Sequence, residues 1–231
     1  MESQAKFVPN WELQDVSGVV VAVDVLRAFT TAAYAFAAGA ASIYLVGTVA
    51  EALELARSIP GALTMGEEHG NRPRGFDFSN SPVVIANADV QGRVLVQRTS
   101  AGTQNVIAAS NADRLFAASL VCASATAAAV NRIDATPPTY VITGRFPDGS
   151  DSGEDDLLTA KLIERARRGD PIDAVATAKA VAETPWALQI RDNDNEHVHH
   201  LDVRYATDVD LFDFAMEVER GNHQLRLVQS R

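Results

Sequence analysis

The chain has 231 residues, of which 47% are hydrophobic, so it is long enough to form one large domain or two small ones with a buried core. Its 30 acidic and 20 basic residues give a net charge of −10, which excludes the basic surface typical of proteins that bind nucleic acid or anionic membranes. The single cysteine, Cys122, excludes an internal disulfide and fits a reducing compartment.

The N-terminal stretch MESQAKFVPNWELQD lacks the basic segment and apolar segment that a secretion signal requires. Uninterrupted apolar runs elsewhere fall short of the roughly 18 residues that cross a bilayer. We therefore predict a soluble cytoplasmic protein with neither nucleic acid nor a membrane as partner.

The first predicted strand is the apolar run 19–23 (VVVAV), whose composition is typical of a strand buried on both faces. It leads into Asp24 and Arg27 and then into residues 30–40, an alanine-rich segment that predicts a helix. In α/β sheets ligands bind where a strand ends and a helix begins. The two charged residues therefore belong either to a binding site or to a structural feature, such as an ion pair or a helix cap.

Strands and helices continue to alternate. Residues 42–47 (SIYLVG) predict a second strand, and residues 61–67 (GALTMGE) predict a third that ends in an acidic residue. Between them, residues 48–59 predict a helix, because Thr48 and Glu51 have the spacing of a capping box. This alternation is typical of a parallel α/β sheet.

The same arrangement recurs 72 positions later, and after an insertion 78 positions later. The matched pairs include Val23 with Leu95, Thr31 with Thr103, Tyr44 with Phe116 and Gly66 with Gly144. We predict a duplicated βαβαβ unit, about residues 19–67 and 91–145, in an α/β fold with a largely parallel sheet. The loops RAFTT and TSAGT would then be pseudo-symmetric, and both would offer backbone N–H groups and hydroxyls to an anion.

Residues 66–85 connect the two units and are rich in glycine, proline, asparagine and serine, so most of this segment is predicted to be irregular. A long loop with several ionisable residues indicates either an ordered cover over a site or a solvated connector. Asp77 and Asn80 are its candidate substrate-binding or supporting residues, with simple turn capping as the alternative.

The remaining chain is predicted to be mainly helical. Residues 153–170 begin with acidic residues and end with arginines, which suits the helix dipole and by itself explains Glu154, Asp155 and Asp156. The other predicted elements are helices at 171–188 and 208–219 and a last edge strand at 224–228. We therefore predict one domain over residues 1–231, with a helical C-terminal part at 153–231.

The segment HVHH contains His197, His199 and His200, which could indicate a metal site. The residues that follow contain no cysteine or carboxylate at a spacing typical of zinc. We therefore predict a solvent-exposed loop here.

Several of these stretches together resemble the 2-phosphosulfolactate phosphatase family, also called ComB-like, from about residue 19 to 165. The matching stretches are VDVLRAFTT (23–31), Gly66 with Glu67, GFDFSNSP (75–82), Thr99 with Gly102 and Thr103 in RTSAGT, and the Glu-Asp pair of GEDDLLTAKLI. The resemblance implies a magnesium-dependent hydrolase of phosphate monoesters on a three-layer α/β/α fold. In the archetypal reaction of this family, 2-phospho-3-sulfolactate yields sulfolactate and phosphate on a route to coenzyme M.

The chain departs from the family pattern at Ala101, because members commonly have Asn-Gly-Thr where this chain has Ala-Gly-Thr. A side-chain hydrogen-bond donor is therefore missing from this loop. Three functions stay open: hydrolysis of 2-phosphosulfolactate, hydrolysis of another phosphorylated hydroxy acid, or anion binding without catalysis.

Phosphate-ester cleavage needs a countercharge, a positioned nucleophile and stabilisation of the leaving group. We expect Mg²⁺ to be held by Asp24, Glu67 and one of Glu154 or Asp155, because magnesium prefers oxygen ligands. The attacking group is water, the option that we favour, or Asp24. The predicted catalytic residues are Asp24, Arg27 and Glu67, and the predicted phosphate-binding residues are Arg27, Arg98, Thr99, Ser100, Gly102 and Thr103.

The expected partner is a small anionic phosphorylated substrate. The alanine-rich segments 32–41 and 123–130 permit close helix packing, either inside the domain or in a homodimer.

Overall fold

The computed structural model describes residues 4–133, 137–146, 149, 152–221 and 224–231; residues 134–136, within the second predicted repeat, lie outside this set. The strands are Lys6–Pro9 (β1), Gly18–Val23 (β2), Ser42–Leu45 (β3), Leu63–Gly66 (β4), Phe78–Ser79 (β5), Val94–Arg98 (β6), Ala112–Ala118 (β7), Thr139–Ile142 (β8), Ala215–Gly221 (β9) and Gln224–Ser230 (β10). The α-helices are Ala28–Ala37 (α1), Val49–Ser58 (α2), Pro82–Ala86 (α3), Gly102–Ala108 (α4), Ala123–Asn131 (α5), Glu154–Arg168 (α6), Ala174–Ala182 (α7), Pro185–Asp192 (α8) and Asp202–Ala206 (α9). Short 3-10 helices span Asn10–Asp15 and Leu120–Cys122.

All of these strands form one sheet, in the order β1-β8-β2-β7-β9-β10-β3-β6-β4-β5. Strands β1 to β8 pair with one another in parallel, whereas β9 and β10 form antiparallel pairs. The predicted α/β class and the largely parallel sheet are confirmed.

The two βαβαβ units are interleaved within this sheet. The first unit contains β2, β3 and β4, and the second contains β6, β7 and β8. Strand β2 lies between β7 and β8, and β6 lies between β3 and β4, so each unit inserts its first strand into the other unit. Each half of the sheet, β8-β2-β7 and β3-β6-β4, therefore combines parallel strands from both units, and the antiparallel pairs of β9 and β10 join the two halves.

The side chains of β2 show that helices cover both faces of the sheet. Val20 and Ala22 pack in a core with Phe29 of α1, whereas Val21 packs in a second core with Ile163 of α6. Because side chains alternate along a strand, an entirely apolar strand implies a core on each side. This arrangement is the predicted three-layer α/β/α fold.

Most elements lie close to their predicted positions. The capping box of α2 is present: the Thr48 side chain accepts a hydrogen bond from the Glu51 N–H, and the Glu51 carboxylate accepts one from the Thr48 N–H. Residues 171–188 contribute to two helices rather than one. Helix α7 ends before Pro185, which begins α8, and the Thr184 side chain caps α8.

The predicted helix at 208–219 is wrong, so the helical part of the C-terminal region ends with α9. Residues 215–221 form β9, in which buried Met216 and Val218 alternate with the more exposed Glu217 and Glu219. Alternation with a period of two is typical of a strand, but the high acidic content of this segment led to the helix prediction. Strand β10 is also internal rather than an edge strand, because it pairs with β9 and β3.

Candidate functional site

A cavity of about 220 Å³ opens where β2, β4, β6 and β8 end. Its lining combines acidic, basic, small polar and aromatic side chains: Asp24, Arg27, Glu67, His69, Asn80, Thr99, Ser100, Ala101, Phe146, Asp155, Asp156 and Trp186, together with Leu26, Gly70 and Gly144. A larger groove of about 540 Å³ lies between β3 and α2, but none of the predicted site residues lines it. The smaller cavity is therefore the candidate site.

Asp24 is buried directly after β2. Its Oδ1 accepts a hydrogen bond from the Ala28 N–H at 2.8 Å, so the carboxylate also caps the start of α1. The pKa of Asp24 is raised from 3.8 to about 6, mainly by burial and also by the negative charge on Glu67, against the lowering effect of this hydrogen bond and of one from Thr143. The cap that we considered as a structural interpretation is present, within the cavity wall.

Gly102 packs closely against this carboxylate. A Cβ atom at position 102 would lie 2.7 Å from Asp24 Oδ2 and 2.8 Å from the Ala28 Cβ. Such distances leave no room for a side chain, so glycine is required for the TSAGT loop to pack against the end of β2.

Glu67 follows β4 and organises two loops. Its Oε2 accepts hydrogen bonds from the Gly70 N–H at 2.7 Å and from the Ser100 hydroxyl at 3.0 Å, and its Oε1 accepts one from the Ser100 N–H. The preceding Gly66 has φ +138°, and a Cβ there would clash with the Arg98 carbonyl. The carboxylate therefore joins the end of β4 to the loop that follows β6.

Asp156 joins three other parts of the site. Its Oδ1 accepts a hydrogen bond from the Val25 N–H at 2.8 Å, and its Oδ2 accepts from the Gly144 N–H at 2.8 Å and the Thr143 hydroxyl at 3.3 Å. Burial raises its pKa well above the usual value, and the negative charges of Asp155 and Asp24 add to this. The acidic start of α6 is therefore held against the ends of β2 and β8.

Arg27 is buried in the wall of the cavity. Its partner is Asp202, because Nη1 donates to Asp202 Oδ2 at 2.8 Å and to the His197 carbonyl at 3.0 Å. A structural pair between Asp24 and Arg27, the alternative raised by the sequence, is not among the ion pairs of the described residues.

The structure brings most of the predicted site residues together. The cavity lining contains Asp24, Arg27, Glu67, Asn80, Thr99, Ser100 and Asp155. Buried Thr103 lies behind them, where its Oγ1 accepts a hydrogen bond from the Thr99 N–H at 2.8 Å. Thr103 therefore supports the loop from outside the cavity lining.

Three predicted residues lie elsewhere. Glu154 is exposed at the start of α6, whereas the next two acidic residues face inward. Arg98 does not line the cavity; its guanidinium donates to the Glu67 carbonyl at 2.8 Å and pairs with Glu68. Exposed Asp77 accepts hydrogen bonds from the N–H and hydroxyl of Thr64, which anchors the connecting loop to β4.

Asp156, Asp202 and Trp186 are among the contributors to the site that were missed. The inward position of Asp156 could have been predicted, because it lies one residue beyond the predicted Asp155. The residues around Asp202 do not indicate its role, because its partner Arg27 lies 175 positions earlier in the sequence. Trp186 gives no signal either, although it lines the cavity and donates from Nε1 to the Leu26 carbonyl at 3.0 Å.

The histidines near the C-terminus serve different contacts. His197 is partly buried, and its Nδ1 accepts a hydrogen bond from the Arg72 N–H at 3.2 Å. Asp194, His199 and His200 present ligand atoms within 4.8 Å of one another, a grouping that the spacing of the histidines did not predict. Asp194 and His200 are exposed, as we expected for this loop.

Helices able to cross a bilayer are absent from the described part of the chain, since none combines sufficient length with sufficient hydrophobicity. This agrees with the sequence, in which no apolar run is long enough.

The chain is similar to proteins of one family over nearly its whole length. A family model described as 2-phosphosulpholactate phosphatase matches residues 6–221, which include every element that builds the cavity. A probable 2-phosphosulfolactate phosphatase of Bacillus subtilis is 33% identical over 206 residues, covering 87% of this chain and 86% of the relative. One of Thermotoga petrophila is 31% identical over 203 residues, covering 83% and 85% of the two chains. One of Carboxydothermus hydrogenoformans is 43% identical over 127 residues, covering 55% and 52%.

This match also explains why the residues that first suggested the resemblance meet in space. Asp24 of VDVLRAFTT, Glu67 and the TSAGT loop come from three separate stretches, and all of them contribute to one cavity. On these grounds the chain belongs to the 2-phosphosulpholactate phosphatase family.

Proposed function

We propose that this protein is a magnesium-dependent phosphatase that converts 2-phosphosulfolactate to sulfolactate and phosphate. The observation that carries the proposal is the gathering of four buried carboxylates and one buried arginine in a single cavity. Relatives named as probable 2-phosphosulfolactate phosphatases support the choice of substrate.

The charge of the cavity argues for a bound cation. Asp24, Glu67, Asp155 and Asp156 line it, whereas Arg27 is its one permanently positive side chain among the described residues. Buried carboxylates this close repel one another and would also repel an anionic substrate. A divalent cation would neutralise both repulsions and would lower the raised pKa of Asp24.

The donor set of the cavity fits magnesium. Carboxylates supply oxygen donors, and the Oδ1 of buried Asn80 has no hydrogen-bond partner among the described residues. Magnesium prefers oxygen ligands and binds through one or two carboxylates plus substrate phosphate. Asp24 and Asp155, with Glu67 nearby, would hold the ion. When bound, it would supply positive charge to the transferred phosphoryl group.

The chain's own residues would bind and orient the substrate. Arg27 suits the phosphate, because a guanidinium donates parallel hydrogen bonds to neighbouring oxygens. Ser100 and Ala101 place the loop after β6 against the same cavity, and Asn80 supplies a further polar contact. Leu26, Phe146 and Trp186 form an apolar wall that would limit the entry of bulk water. We favour water as the nucleophile, with attack by Asp24 as the alternative.

Two other functions compete with this proposal. A non-catalytic anion-binding protein is favoured by Ala101, which lines the cavity at the position where the family resemblance implies an asparagine. The retained Asp24, Arg27 and Glu67 favour an enzyme. A phosphatase for a different hydroxy acid would use the same residues. The cytoplasmic location and a homodimer stay predictions.

The test is phosphate release from a panel of phosphorylated hydroxy acids, including 2-phosphosulfolactate, in the presence of Mg²⁺. The proposal predicts the highest kcat/KM for 2-phosphosulfolactate. A higher kcat/KM for another acid would identify that acid as the substrate and leave the proposed reaction class unchanged. Tight binding of these compounds with no release of phosphate would overturn the enzyme proposal and favour the binding protein.

A further inference from the structure

Asp202 is fully buried on α9, outside the cavity lining, and lies 175 positions from Arg27 in the sequence. Its Oδ2 accepts hydrogen bonds from Arg27 Nη1 at 2.8 Å and from the His199 N–H at 3.2 Å. Its Oδ1 accepts one from the Ser81 hydroxyl at 2.5 Å. Both oxygens are therefore fixed by groups from three different segments.

The contacts of Arg27 are equally restricted. Within the described part of the chain, the hydrogen bonds of its guanidinium all use Nη1, with Asp202 and the His197 carbonyl as acceptors. A guanidinium is planar and has five N–H donors. Because Nη1 is held by these two acceptors, the plane of the guanidinium is fixed. The donors of Nε and Nη2 remain for a ligand in the cavity, which Arg27 lines.

We propose that Asp202 is the positioning residue that holds Arg27 in its phosphate-binding orientation. This inference rests on the proposed function, because it assumes that Arg27 binds the phosphate group. Asp202 does not line the cavity, so it would act through Arg27 rather than through the substrate. Ser81 and His199 in turn hold its carboxylate in place.

The alternative is that the pair serves only stability. Breaking a buried ion pair leaves an unpaired charge, so the loss of Asp202 would destabilise the fold in either case. The two roles differ in their effect on ligand binding. A positioning role predicts a loss of phosphate affinity that depends on Arg27, whereas a structural role predicts no such dependence.

The test is binding of inorganic phosphate, measured by calorimetry with Mg²⁺ present, for the wild type, Arg27→Ala, Asp202→Asn and the double variant. Asp202→Asn should weaken binding about tenfold or more, as misplacement of a binding group does. The double variant should bind no more weakly than Arg27→Ala alone. Glu164→Gln is the matched control, because Glu164 pairs with Arg167 outside the cavity lining, and the phosphate affinity of this variant should match the wild type.

Wild-type affinity in a folded Asp202→Asn variant, or losses that add in the double variant, would overturn the positioning role. If Asp202→Asn does not fold, Ser81→Ala decides the question, because it removes one hydrogen bond to Asp202 and keeps both charges. It should weaken phosphate binding severalfold, and unchanged affinity would overturn the inference. Phosphate affinity is measured independently of turnover. If Asp202→Asn loses phosphate affinity but the wild type releases no phosphate from any substrate, the positioning role stands and only the phosphatase proposal is contradicted.

Discussion

The carboxylate of Asp156 accepts a hydrogen bond from the backbone N–H of Val25 at 2.8 Å, across 131 positions of sequence. The same side chain accepts one from Gly144, which follows β8. One acidic residue of α6 therefore fixes the ends of two neighbouring strands, and Asp24 lies between Val25 and β2. The geometry of the site depends on this connection.

Replacing Asp156 by asparagine should destabilise the fold. An amide can accept from one of the two backbone N–H groups, but its own NH₂ then faces the other and leaves that donor unpaired. The expected cost is about 1 to 3 kcal/mol in the free energy of unfolding, measured with urea. Glu154→Gln, on the same turn of α6 but exposed, should change this free energy by less than about 0.5 kcal/mol. Equal effects of the two variants would contradict the anchoring role.

The raised pKa of Asp24 predicts a pH dependence of stability in the metal-free protein. Between 3.8 and about 6, this carboxyl is protonated in the folded state and ionised in the unfolded chain, so its contribution to stability falls as pH rises through that range. The unfolding free energy of the wild type, relative to Asp24→Asn, should therefore drop by about 1 kcal/mol between about pH 5 and about pH 8. A constant difference, measured with urea in EDTA, would show that the pKa is not raised.

Gly102→Ala should impair activity because it displaces Asp24. The added Cβ would lie 2.7 Å from Asp24 Oδ2, so either the carboxylate or the TSAGT loop must move. We expect kcat/KM to fall about 100-fold, the order of loss that misplacement of about 1 Å causes. Gly221→Ala is the control, since a Cβ there meets nothing within 4 Å. Similar rates for the two variants would argue against close packing at position 102.

Glu67→Gln should reduce activity by disordering the loop that carries Ser100. The NH₂ group of glutamine would face either the Gly70 N–H or the Ser100 N–H, where the carboxylate now accepts hydrogen bonds. The expected loss is about 100-fold in kcat/KM, comparable with loss of one preorganised polar contact. Glu68→Gln changes only an exposed neighbour that pairs with Arg98, and its rate should stay within about twofold of the wild type. Equal rates in Glu67→Gln and the wild type would contradict this role.

Much of the fold could be predicted because its signals are local. The apolar run before Asp24, the capping box at Thr48 and the charge distribution of α6 each report on their own element. The helix at 208–219 was predicted wrongly because local acidity outweighed a short alternating pattern. The interleaving of the two units depends on long-range pairing, which neither unit's sequence specifies.

The candidate site was predictable where polar residues directly follow a strand, as Asp24 and Glu67 do. Arg98 is the last residue of β6, but strand position does not fix the direction of a long side chain. The partnership of Arg27 with Asp202 could not be predicted, because it joins α9 to the loop after β2 through tertiary packing alone.

The most direct test of the account measures phosphate released from 2-phosphosulfolactate by the wild type in Mg²⁺, in EDTA, and in EDTA followed by excess Mg²⁺. Asp24→Asn is assayed alongside, with Glu54→Gln as a control from the separate groove between β3 and α2. We predict release in Mg²⁺, its loss in EDTA and its recovery with excess Mg²⁺, with wild-type behaviour in Glu54→Gln and a loss of about 1,000-fold or more in Asp24→Asn. Release that persists in EDTA, or that survives undiminished in Asp24→Asn, would contradict a magnesium-dependent site built on this carboxylate.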